Sequence, residues 1–195
     1  MKSLKRILYL TILLGLLFFA VFSYAEENIV KSKYFSIEFY DGCETAKLAE
    51  KLKADRLLHI DLVTEDYNSS DMNEIIANLF DSLYLEVCDI LDIHMYDFQG
   101  TIKIVPTKND ISEIIFGYIG KRPANMPSFY CFQDNMLYIS GDSLNIGMLA
   151  HEMGHVIISR YFIVPPSEKV QEILCGYVEY SIMKKTGTLP TKTKK

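Results

Sequence analysis

Apolar residues along this chain recur with two periods, and the switches between them outline its elements. Tyr34–Tyr40 alternates, with Phe35, Ile37 and Phe39 on one face, and reads as a strand closed by the turn signal Asp41-Gly42. From Glu44 to Leu58 the spacing of Ala46, Leu48, Ala49 and Leu52 is helical, and the polar stretch Asp61–Ser70 reads as a loop or short extended piece. Asp71 with Glu74 three residues later resembles a helix start. Ile76, Phe80, Leu83, Val87 and Leu91 then hold a 3.6-residue period to about Ile93. Thr101–Val105 is β-branched and bounded by Gly100 and Pro106, a strand signature; a short helix over Asn109–Gly117 and a loop over Gly120–Pro127 follow.

The C-terminal third is the most sharply punctuated. Ser128–Phe132 and Met136–Ser140 flank the polar triplet Gln133-Asp134-Asn135, which predicts a hairpin. Gly141-Asp142-Ser143 offers an N-cap for a helix from about Leu144 to Tyr161, which Pro165-Pro166 stops. Ser167 as N-cap, Glu168 in a first turn, Lys184-Lys185 in a last turn and Gly187 just beyond frame a final helix over roughly Glu168–Lys185. The pattern predicts an α+β domain with a small sheet packed on helices.

The first of these two helices carries the chain's clearest chemistry, His151-Glu152-Met153-Gly154-His155. On a helix the two histidines lie four residues apart on one face, where both imidazoles reach one metal ion. Neutral imidazole suits Zn²⁺, and Glu152, directly after the first ligand, is placed to act as a general base on water beside the ion. The competing reading is an amphipathic helix that happens to carry two histidines. It leaves three polar groups in an apolar segment without evident partners, which is costly. A catalytic zinc needs a third protein ligand, and after His155 the chain holds no histidine or aspartate, only Glu168, Glu172 and Glu179. Glu168, at a helix start, is explained by the helix dipole, while Glu172 and Glu179 are seven residues apart and share a face.

Here the chain resembles the gluzincins, metallopeptidases of the thermolysin-like superfamily, in a small one-domain form. In that group the helix after the HExxH helix supplies the third zinc ligand from a Glu-Gly-Leu-Ala-Glu-Tyr-like stretch that follows one or two prolines. Glu172-Ile173-Leu174-Cys175-Gly176-Tyr177 matches at the first glutamate, the leucine, the small residue and the tyrosine. It departs at Ile173 and at Gly176, where these relatives often carry a second acid. The resemblance covers most of residues 33–186, with its specific motifs confined to 151–155 and 172–177. It implies a zincin-like fold, one Zn²⁺ held by His151, His155 and Glu172, and peptide-bond hydrolysis with Glu152 as base. It also implies a peptide or protein substrate added as a strand along a sheet edge, one or other strand of the hairpin. The oxyanion-stabilising residue stays open, with Tyr130, Tyr161, Tyr177 and Tyr180 as candidates. The rival expectation is a catalytically inactive zinc-binding domain serving in binding or assembly in the cell envelope.

Composition adds the setting. Net charge is −5 over 195 residues, and removal of Lys2, Lys5 and Arg6 with the leader leaves about −8, which argues against nucleic acid as a partner. Residues 1–25 read as a signal peptide: a basic start, an apolar run Ile7–Phe22, and small residues in Ser23-Tyr24-Ala25. Residues 26–187 then form the metallopeptidase domain, and 188–195 a basic tail. The protein is expected to be exported, periplasmic or secreted, with anchoring by an uncleaved signal, and hence membrane contact, as the lesser alternative. Four cysteines permit disulfides in such a compartment, Cys43 with Cys88 being the more plausible pair and Cys131 and Cys175 reading as small core residues. His59 and His94 read as solvated or capping residues.

Overall fold

A computed structural model of the protein describes residues 28–43, 45–52 and 71–190. The expected leader, the 61–70 loop, His59, the end of the first expected helix and the last five residues lie outside the described residues. Described in chain order are β1 Asn28–Lys31, β2 Phe35–Phe39, α1 Thr45–Leu52, α2 Met72–Leu91, β3 Gly100–Val105, α3 Lys108–Ile119, β4 Ser128–Cys131, β5 Met136–Ser140, α4 Ile146–Tyr161 and α5 Glu168–Thr186. The fold is mixed α+β, with one five-stranded mixed sheet in the order β1-β2-β3-β5-β4. β2, β3 and β5 run parallel, and the outer strands β1 and β4 pair antiparallel to their neighbours.

Strand alternation divides the sheet into two faces. Phe35, Ile37, Phe39, Ile102, Ile104, Leu137 and Ile139 share the face that forms the main core with α2, α4 and α5. The opposite face holds a smaller cluster under α3, built on Val105, Ile111, Ile115 and Tyr138, and the adjacent pair Glu38–Lys103 at 2.6 Å. Along α2, Tyr84 packs on Tyr34, Phe35 and Phe98 with ring centroids 4.5–5.5 Å apart.

β1 is absent from the sequence expectations. It is held by its turn into β2, where buried Asp81 of α2 accepts from Ser32 Oγ (2.6 Å), Lys33 N (2.8 Å) and Tyr34 N (3.1 Å). The start of α4 also differs. Its N-cap is Asn145, whose side chain accepts from Met148 N at 3.0 Å, because Ser143 N and Leu144 N are already turned back to Ser140 O. The end of α5 agrees with the expected stop, with Gly187 in the left-handed conformation at φ 69°. The expected Cys43–Cys88 bridge is not formed: all four thiols are free, Cys88 lying in the core beside Tyr84 and Cys43 half-buried with its thiol toward Ile104 O. Among the described residues no helix is long and apolar enough to cross a membrane.

Candidate metal centre

α4 packs on α2, β4 and, most extensively, α5. Leu149, Ala150, Met153, Val156 and Ile157 face the core, which rotates His151, Glu152 and His155 to the half-buried border of the helix. The α4–α5 contact is close because of a glycine: a Cβ at Gly154 would stand 3.0 Å from Cys175 Sγ and 3.7 Å from Cys175 Cα. This approach lets a carboxylate on α5 reach the rings on α4. Glu172 Oε1 lies 3.2 Å from His155 Nε2, Oε2 lies 3.5 Å from His151 Nε2, and the two Nε2 atoms are 3.2 Å apart.

The other ring nitrogens are held from α5. His151 Nδ1 donates to Glu179 Oε2 at 3.1 Å. His155 Nδ1 faces Gln171 Oε1 at 3.5 Å, and Gln171 is itself oriented by donation from its Nε2 to Pro166 O at 2.9 Å. Where Nδ1 carries the proton, Nε2 presents a bare lone pair. Both Nε2 atoms and the Glu172 carboxylate point into one small volume, where a cation would meet all three. Ligand atoms of His151, His155 and Glu172 all lie within 4.8 Å of one another. Two imidazoles and a carboxylate, each ring anchored behind, are a donor set suited to Zn²⁺.

Of the candidates from sequence, the structure thus brings together His151, His155 and Glu172, with Glu152 on the same wall. Glu179 stands behind the first histidine. Gly176 has nothing within 4 Å of the position a Cβ would take, and Glu179, three residues on, supplies the acceptor for His151. Glu168 lies on the rim at the start of α5. His94 sits elsewhere, stacked on Tyr96 and near Asp89 and Asp92.

A groove of about 510 Å³ runs over this centre. One wall is Met126–Tyr130, including the first three residues of β4, and the other carries His151, Glu152, His155 and Glu172. β4 is thereby identified as the edge strand of the hairpin that flanks the site. Pro127 O accepts from Ser140 N at 2.9 Å, so the alternating ladder gives Phe129 and Cys131 their bonds to β5 and turns the backbone N–H and C=O of Ser128 and Tyr130 to the open side. Ser128 Oγ donates to Glu152 Oε1 at 2.6 Å, a contact with no sequence signal. Arg160 Nε donates to Tyr130 OH at 2.7 Å and its Nη2 to Phe132 O, fastening β4 to the far end of α4.

Beneath the centre the Cys175 thiol is pushed up to about 12 by burial and by the charges of Glu152 and Glu172, so it is a neutral packing group. Tyr130 lines the groove, but its hydroxyl is engaged by Arg160 and Asn135; Tyr161, Tyr177 and Tyr180 are exposed and do not line it. Compared with protein-family profiles, with curated proteins and with solved structures, the chain matches none.

Proposed function

We propose that this chain is an exported, zincin-like, zinc-dependent peptidase of the gluzincin type. One observation carries the reading: two imidazole nitrogens and the Glu172 carboxylate converge at 3.2–3.5 Å, with each ring braced from behind and a further carboxylate, Glu152, beside them on the groove wall. A base beside the ligands serves chemistry, whereas a purely structural zinc has no use for one. That favours the peptidase over the inactive zinc-binding domain.

His151, His155 and Glu172 would hold one Zn²⁺. When bound, the ion polarises a carbonyl and lowers the pKa of bound water to about 7. The chain's own residues do the rest. An extended peptide pairs with the outward backbone groups of Ser128 and Tyr130, which lays its scissile bond along the groove. Glu152 takes a proton from the attacking water and returns it to the amine that leaves as the C–N bond breaks. Glu179 and Gln171 keep both rings in the tautomer with Nε2 free. Residues 1–25 direct export, and contact with a membrane is limited to that segment where it is retained.

The test is hydrolysis of a mixed peptide library by the zinc-loaded protein with and without a chelator, beside Glu152→Gln. The wild type cuts, the chelator stops it, and the variant loses at least about 10²-fold in rate while keeping its zinc. A wild type that binds zinc and cuts nothing would favour the inactive zinc-binding domain. Loss of zinc by Glu152→Gln would mean that Glu152 is structural.

A further inference from the structure

We infer that Ser128 is a positioning residue for Glu152, fixing the aim of the base and linking it to occupancy of the β4 edge; this rests on the peptidase reading above. Three observations meet at this residue. Its side chain lies on the same sheet face as Ile139, its partner in the ladder, and so turns toward α4. Its hydroxyl reaches Glu152 Oε1 at 2.6 Å, the length of a charge-assisted O–H···O⁻ bond, from a residue only 8% exposed. Its backbone N–H and C=O point outward, where an extended peptide pairs.

The use of the contact lies in direction, since it sets which way the Glu152 carboxylate faces. Glu152 has a long side chain with several rotamers, and α4 alone does not fix where its carboxylate lies. Ser128 takes Oε1 and leaves Oε2 as the oxygen that receives the proton. A strand paired to β4 immobilises the Ser128 backbone, and through Oγ it immobilises the base. Arg160, bonded to Tyr130 and Phe132, keeps β4 and α4 in fixed relation while this happens.

The experiment uses the zinc-loaded protein with Ser128→Ala and Ser128→Thr. Ser128→Ala is expected to lower kcat about ten- to hundredfold with KM within about threefold, and Thr, which keeps the hydroxyl, to restore most of the loss. Zinc affinity stays at the wild-type value in both. A binding measurement checks the same point without turnover. A peptide hydroxamate places a proton against the base, so Ser128→Ala should weaken its binding about five- to tenfold when Glu152 is present and not at all in a Glu152→Gln background. Unchanged kcat and hydroxamate affinity in Ser128→Ala, or equal weakening in both backgrounds, would overturn the inference and leave the peptidase reading standing. A wild type that neither cuts peptides nor binds the hydroxamate would remove both.

Discussion

Glu179 shows how the candidate centre is organised residue by residue. Seven residues beyond Glu172, on the same side of α5, it accepts from His151 Nδ1 at 3.1 Å and so decides which nitrogen of that ring is bare. Glu179→Ala is expected to weaken zinc binding about ten- to hundredfold in competition with a chromophoric chelator. Glu179→Gln, which keeps an acceptor oxygen, should lose less. Identical affinity in Ala and wild type would show that His151 needs no brace. The shared face of Glu172 and Glu179 was legible from their spacing. Spacing alone did not divide their labour; the motif around Glu172 singled it out as the ligand, while the place of Glu179 behind His151 depends on how α5 is rotated against α4. Ser128 and Gln171 were illegible for the same reason: a hydroxyl or amide gives no sign in sequence of what it will face.

That rotation is set by packing at Gly154. Gly154→Ala puts a methyl 3.0 Å from Cys175 Sγ and close to its backbone, and a short buried side chain has nowhere to retreat. Overpacking of this kind costs roughly 1–3 kcal/mol. It also moves α5 outward, carrying Glu172 with it. Gly147 is the control: its added Cβ would meet Met183 Cγ and Sδ at 2.7 Å, but that thioether is flexible enough to swing aside. A clear fall in melting temperature and in zinc affinity is therefore expected for Gly154→Ala, and a smaller one for Gly147→Ala. The reverse order would contradict this account of the helix pair. The long elements were readable from sequence because period and punctuation agreed, as in α2 and α5. β1 was not, since four residues with one buried apolar side chain, Val30, carry no alternation worth reading. The start of α4 was misplaced because Asn145 competes with the earlier Ser and Asp, and only the turn at Ser140 decides between them.

For the whole molecule, the sheet holds an edge strand and a helix pair on either side of one groove. Apart from β1, the order of the described elements, and the α+β class, followed from the sequence. The strand order did not, since the parallel pairings β2–β3 and β3–β5 join segments far apart in the chain and leave no local signal. What the molecule is organised for depends on whether the three converging donors take a cation. The direct measurement is zinc stoichiometry by elemental analysis of the purified chain after equilibration with zinc and dialysis, beside His155→Ala and Glu172→Ala. One zinc per chain in the wild type and none retained in either variant is the result expected. No zinc in the wild type, or one zinc kept by Glu172→Ala at undiminished affinity, would contradict it.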